Sequence, residues 1–490
     1  MSKSIHRWIA HLGRKRWGTR RDFLLAGAGL GLYAMTEANA FQDRKIIIIG
    51  AGFSGLACAD ALKAAGCDVL VLEARDRLGG RVFTRKDFIA GKNIEAGGEL
   101  LGSNHPWVLA YAKRFGLEML DVPDYAHPAD KPHRLGDKLI PQSELDEAEP
   151  DVEKILKSLT EDSRPIDADE PWKSPDAVRW DQLPTSRKLD SIEASPLAKQ
   201  LVGVMLANDN TVPLAQQSYL GNLAQIRGGG LERYWTESEV YRCAGGNQQF
   251  ANKLAETVGD SRIRLKTPVT MIQQHASGMV VTDASGKTYS ADEVVLTIPP
   301  STWRNITFPE QLPEILRPRQ KASPVQIGHA VKYFSAVSNR FWENAKRQPD
   351  AMSDGVIGYT WCGTEGQSTE DPTECLVAFT SGPESVKLAS LATDQARNQI
   401  YNSALEELQP GYHQAVRKTH FQTWIADPWT LGGYSFPAPG QITTVGPALR
   451  AGVGNLHFAG EHTCYAFVGY MEGAFQSGIR VARQLLQKNG

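Results

Sequence analysis

The chain has 490 residues, 41% hydrophobic and 22% charged, the balance of an ordinary globular protein of roughly two or three domains. That excludes a disordered, collagenous or coiled-coil chain, and a net charge of -2 gives no electrostatic case for a nucleic-acid partner. Six cysteines (58, 67, 243, 362, 375 and 464) without a CxxC pair make neither a disulfide framework nor a zinc ribbon, and no metal site is expected.

Residues 1–40 are basic, with seven Lys/Arg against two acids, and contain Thr19-Arg20-Arg21, an apolar run over 23–35 and Ala38-Asn39-Ala40. Thirteen apolar residues span about 20 Å as a helix, too short for a hydrocarbon core of about 30 Å, so no integral membrane span is expected. A charged start, a short apolar run and a small-residue site describe a removable signal peptide. The paired arginines resemble the twin-arginine signal, which implies export of a folded, cofactor-loaded protein to a periplasmic or secreted location.

The next elements read as a nucleotide site. Lys45-Ile46-Ile47-Ile48-Ile49 is a β-branched run typical of a strand buried on both faces. It leads into Gly50-Ala51-Gly52-Phe53-Ser54-Gly55, then a helix over 56–65, then a second strand over 68–72 ending at Glu73. Gly50 permits the tight turn, Gly52 lets backbone approach a pyrophosphate, and Gly55 lets helix and strand pack closely. Glu73 can accept hydrogen bonds from ribose hydroxyls. The fingerprint alone serves FAD and NAD equally. Residues 73–81 add a second glycine turn, with Arg75 and Arg81 as cations near a pyrophosphate. In Glu95-Ala96-Gly97-Gly98-Glu99-Leu100-Leu101-Gly102, small residues would admit a flat ring.

With these two segments the sequence resembles the flavin-containing amine oxidase superfamily, which includes monoamine, polyamine and L-amino acid oxidases. Residues 455–463 (Asn-Leu-His-Phe-Ala-Gly-Glu-His-Thr) and Gly469-Tyr470-Met471-Glu472-Gly473-Ala474 are similar to the segment that closes over the flavin in that family. A helix over 475–486 follows. The resemblance implies FAD as cofactor, with Gly97, Gly98, Glu99, Leu100, Val269, Gly460, Glu461, Gly469, Tyr470 and Met471 joining Gly50, Gly52, Gly55, Glu73, Arg75 and Arg81 around it. It also implies that Tyr434 and Tyr470 form an aromatic cage that steers a neutral amine, with Trp424 nearby. Gly433 stands where monoamine oxidases attach flavin through cysteine, so the FAD is expected to be non-covalent; Cys464 is off the motif and reads as inert. Residues 300–308 lack the lysine that many relatives place near the flavin, which leaves open whether dioxygen or another acceptor reoxidises it.

Residues 98–101 carry no arginine for a substrate carboxylate, which favours a plain amine. Residues 218–223, 228–230 and 234–249 resemble bacterial and cyanobacterial L-amino acid oxidases, several of which prefer basic side chains. On that resemblance the leading expectation is oxidation of L-arginine or L-lysine to keto acid, ammonia and hydrogen peroxide, with Glu99 pairing with the distal cation. Arg242 is a candidate carboxylate anchor but reads better as an ion pair. The alternatives are a monoamine or polyamine oxidase, or an amino-acid dehydrogenase with another acceptor. Residues 123–214 are polar and acid-rich, read as too charged for core, with an amphipathic helix over 152–159.

The expected architecture is α/β: a discontinuous Rossmann-type FAD-binding domain (41–125, 240–300 and 425–490) and a mixed α+β substrate domain (126–239 and 301–424), the amine oxidase fold. The latter carries strands near 327–334 and 375–380 and a helix near 392–408. A homodimer is among the assemblies the sequence allows.

Overall fold

A computed structural model describes residues 44–122, 131–318, 323–367 and 369–487. The expected leader, residues 1–40, lies outside them. Among the described residues no helix is long and apolar enough to cross a membrane.

Two sheets organise the fold. The first has five parallel strands in the order Leu456–Phe458, Glu293–Leu296, Lys45–Ile49, Asp68–Leu72 and Ile263–Arg264. Its central strand buries Ile46, Ile47, Ile48 and Ile49, as a run flanked by strands and covered on both faces requires. Helices Phe53–Ala64, Gln248–Val258 and Met471–Gln487 pack on one face through Leu56, Phe250 and Phe475. The other face carries Trp303, Leu449 and Val281.

The second sheet has seven strands, ordered Val416–Thr423, Ala330–Val337, Glu374–Ser381, Tyr359–Cys362, Ala351–Ser353, His133–Leu135 and Lys138–Leu139. All its pairings are antiparallel except that between Ala351–Ser353 and His133–Leu135. The period of two divides its faces. Val331, Tyr333, Leu376 and Ala378 pack against Tyr401 and Leu405 of helix Asp394–Leu408, with Tyr333 stacked on Tyr401 at 4.1 Å. Phe334, Trp361, Val377 and Phe379 face the helices Gln142–Ser163, Pro196–Asn210 and Tyr219–Gly228.

The acid-rich segment corrects its sequence reading. Residues expected to be too charged for core form part of a 22-residue helix, Gln142–Ser163, that passes through Pro150 and buries Leu145, Ala148, Val152, Ile155, Leu156 and Leu159. These apolar positions recur at spacings of three and four, so one stripe enters the core while the acids stay on the solvent side. The proline is accommodated within the helix. The helix read over 56–65 begins earlier, at Phe53, because Gly52 serves as its N-cap.

Candidate active site

A long cavity runs from the carboxyl ends of the parallel strands to the second sheet, the place where open α/β sheets bind ligands. At the nucleotide end, the Gly50 N–H donates to the Leu72 carbonyl at 2.8 Å, which folds the turn over the sheet edge. A Cβ at position 55 would lie 2.0 Å from the Gly50 carbonyl oxygen, so only glycine lets the helix start so close to the strand. Gly52 lines the cavity with open space beside it, and no side chain caps the helix that follows. Free N–H groups and the positive end of the helix therefore face the position of a phosphate. Glu73, buried in the wall, accepts the N–H groups of Ala51 (2.7 Å) and Arg75 (2.8 Å). Each carboxylate oxygen has capacity for a further donor such as a ribose hydroxyl.

Arg75 and Arg81 line the same end, but each is already paired. Arg75 donates to Asp427 and Thr430, and Arg81 donates to Glu461 (2.8 Å) and the Gly433 carbonyl (3.1 Å). Glu461 also accepts the N–H groups of Ser435 (3.2 Å) and Gly469 (2.9 Å). Burial alone would raise the Glu461 carboxyl; Arg81, with His462 and the Gly469 N–H, holds it below its ordinary value. Glu461 thus ties segments 433–435 and 469 to Arg81.

The middle of the cavity is lined by small residues. Gly97 and Gly98 line it, and a Cβ at Gly97 would lie 1.9 Å from the Arg81 carbonyl. Trp424 Nε1 donates to the Ala96 carbonyl (2.9 Å), while Asn247 donates to the Gly98 (3.0 Å) and Glu99 (2.8 Å) carbonyls. Val269, Gly460, Gly469 and Met471 complete this wall. The open helix N-terminus, the buried acid at the second strand and the glycine-lined slot fit an adenine dinucleotide joined to a flat ring.

The far end is bounded by Leu100, Glu239, Ala330, Lys332, Trp361, Phe379, Tyr434 and Tyr470. Tyr434 donates its hydroxyl to the Asp209 carbonyl at 2.7 Å. Burial raises both tyrosine phenols well above their ordinary value; Asp209 and Glu239 act in the same direction on each, and for Tyr470 so does Tyr234. Both phenols are therefore neutral at every working pH.

Glu99 departs from its sequence reading. It lines the cavity, but its oxygens accept from Arg242, Trp361 Nε1 (2.8 Å) and Lys332 (2.8 Å). Two cations already neutralise it, so it is not a vacant carboxylate awaiting a guanidinium. Arg242 donates to Glu99 and to the Cys362 carbonyl (2.9 Å), and is an ion pair behind the wall. Lys332 completes its three donors on the Glu95 and Gly97 carbonyls, both at 2.9 Å. Cys464 is buried and its thiol is pushed up to about 12, which leaves it protonated and unreactive.

Sequence reasoning missed Glu239, Lys332, Trp361 and Phe379. Lys332 had a signal, being a lysine in Ala330–Val337, a strand of eight buried residues. Trp361 and Phe379 had none, since they reach the cavity only through strand pairing across the second sheet. Among the described residues no group of three or more His, Cys, Asp or Glu could hold a metal ion.

Comparison with known proteins agrees with this geometry. The chain is 28% identical over 464 residues to flavin-containing amine oxidase B of Sus scrofa, covering 91% of this chain and 86% of that protein. It is 29% identical over 460 residues to the Canis lupus familiaris protein of the same name, with the same coverage. The solved structure of cyclohexylamine oxidase from Brevibacterium oxydans IH-35A superposes with a TM-score of 0.78 at 25% identity, covering 91% of this chain and 99% of that one. Putrescine oxidase bound to putrescine shares the fold, with a TM-score of 0.77 at 24% identity, covering 91% and 100%. The signature of the flavin containing amine oxidoreductase family matches residues 53–486. The chain belongs to that family and is an FAD-dependent amine oxidoreductase.

Proposed function

We propose that this enzyme oxidises primary amines that lack an α-carboxylate, as a monoamine or polyamine oxidase does, rather than L-amino acids. One observation carries the reading. Each cation lining the cavity among the described residues is already held by protein acceptors: Arg75 by Asp427, Arg81 by Glu461, and Lys332 by Glu99 and two carbonyls. A substrate carboxylate would have to be buried without a dedicated partner, at a cost of several kcal/mol. The far end also carries Glu239, which would repel it. The relatives named above, amine oxidase B and cyclohexylamine oxidase, support the same reading.

FAD, when bound, supplies hydride acceptance from the amine's α-carbon. Gly50, Gly52, Gly55 and Glu73 would hold its nucleotide half, and Gly97, Gly98, Val269, Gly460, Gly469 and Met471 its remainder. The protein's own work is binding and orientation. Tyr434 and Tyr470, neutral and buried, offer aromatic faces to the amine and polarise its lone pair. Leu100, Ala330, Trp361 and Phe379 keep water from the reacting carbon. Glu99 is locked in ion pairs and does not act as base, so the amine enters deprotonated and kcat/KM rises with pH toward the amine's own pKa. Dioxygen is the proposed acceptor. The flavin is proposed to be non-covalent, because Gly433 offers no thiol; acid precipitation is expected to leave the colour in the supernatant. Export by the twin-arginine route is part of the same proposal.

The test is anaerobic bleaching of the flavin by 1,5-diaminopentane and by L-lysine, which differ only in the α-carboxylate. The diamine is expected to reduce the flavin at least about 100-fold faster, the equivalent of the several kcal/mol above. Faster reduction by L-lysine would restore the amino-acid reading.

A further inference from the structure

His105 is a buried histidine beside the amine end that the mechanism above has not used, and it is only 1% exposed. Its Nδ1 accepts the Gly102 N–H at 2.9 Å, so the ring proton sits on Nε2. Burial pushes the imidazole down to about 3, which keeps it neutral. Among the described residues Nε2 has no hydrogen-bond partner. The ring packs instead against two aromatic side chains, both in edge contacts. Its centre lies 5.5 Å from that of Phe467 at an angle of 89°, and 5.3 Å from that of Tyr470 at 75°. The backbone is anchored on both sides. The His105 N–H donates to the Gly102 carbonyl at 3.3 Å, and the helix Pro106–Phe115 begins at the next residue. Glu472, two residues after Tyr470, accepts the N–H groups of Trp107 and Val108 in the first turn of that helix.

Tyr470 needs such a support. An aromatic face steers an amine only if the ring is held at one tilt, and the torsion that sets the tilt is intrinsically broad. Tyr234 acts at the Tyr470 hydroxyl, and the rings beside it are those of His105 and, farther off, Phe467 at 6.5 Å. We infer that His105 is a positioning residue for Tyr470: its imidazole, locked by Gly102 and by the helix that Glu472 grips, sets the tilt at which Tyr470 presents its face to the amine. The contact is of the edge-to-face kind that aromatic pairs prefer. His105 does not itself line the cavity, so it acts through Tyr470. This rests on Tyr470 being a wall of the amine site and deepens that reading by one residue.

The experiment is a double-mutant cycle on holoenzymes matched for bound flavin, reading the anaerobic rate of flavin reduction at saturating substrate. The substrate is whichever of 1,5-diaminopentane and L-lysine bleaches the wild type faster, so the cycle does not depend on which is preferred. His105→Asn keeps an acceptor near the place of Nδ1 for the Gly102 N–H and removes the ring. It is expected to slow reduction about 5-fold in the wild type and less than about 2-fold in Tyr470→Leu. His105→Phe, which restores a ring, is expected to recover most of the lost rate. Equal losses in the two backgrounds, or a His105→Phe as slow as His105→Asn, would overturn the inference, because a purely structural role does not pass through Tyr470. Should His105→Asn not hold flavin, His105→Gln takes its place in the cycle. Failure of the Tyr470 reading looks different: Tyr470→Leu alone then reduces its flavin at the wild-type rate, and the role of His105 falls with it.

Discussion

The two ends of the cavity are built in opposite ways. The nucleotide end is a local construction: Gly50, Gly52, Gly55 and Glu73 lie within one strand–turn–helix–strand unit, and their positions follow from backbone geometry. The amine end is assembled from distant strands, with Glu239 stitched to the wall by residues 101–103 and Lys332, Trp361 and Phe379 delivered by three paired strands. The first end tolerates little because backbone meets backbone. The second is tunable because side chains project from a scaffold that pairs regardless of them. That contrast accounts for a family that keeps its cofactor while its members act on different amines.

The sharpest way to break the comparison is at Gly55. A Gly55→Val chain places Cβ 2.0 Å from the Gly50 carbonyl, and the helix must move away from the turn. The expected cost is about 4–5 kcal/mol, with loss of the yellow holoprotein, read by flavin absorbance per polypeptide. A variant that binds flavin normally would show the nucleotide end to be as pliable as the other. At the amine end the corresponding variant is Tyr470→Leu. It removes an aromatic wall and is expected to lower kcat/KM about 10-fold while flavin content stays at the wild-type level. Loss of flavin together with activity would mean that the two ends are not separable.

A test on stability rather than turnover concerns Glu472, which is fully buried and accepts the N–H groups of Trp107 (3.1 Å) and Val108 (2.9 Å). Burial pushes its carboxyl from 4.5 up to about 7. Between those values the folded chain keeps a proton that the unfolded chain has released, so stability falls as pH rises through the window and levels off above it. Glu472→Gln carries no charge and removes this slope. Urea unfolding from pH 5 to 7 is expected to differ between the two proteins by up to about 3 kcal/mol. Parallel curves would assign the slope to other groups.

What the sequence made legible follows the same division. The parallel sheet was readable because a four-isoleucine run, a glycine turn and an acid at the next strand's end are contiguous. Tyr434 and Tyr470 were placed through their neighbours in recognisable segments. Glu99 was identified as a wall residue, but its partners Arg242, Lys332 and Trp361 come from three separate parts of the chain, so its charge state was not readable. Within Gln142–Ser163 the amphipathic stretch over 152–159 was readable from its spacing, but a count of acids hid that the helix starts earlier and that its apolar stripe enters the core.

Lys332 carries a consequence for how the cavity keeps its width. Its ammonium rivets a strand of the second sheet to the carbonyls of Glu95 and Gly97, beside the flavin slot, while Glu461 bolts segments 433–435 and 469 to Arg81. Swinging the two sheets apart like jaws would tear the Lys332 ammonium from its buried partners. The width of the cavity between the sheets is therefore held by buried charge pairing rather than by apolar contact alone.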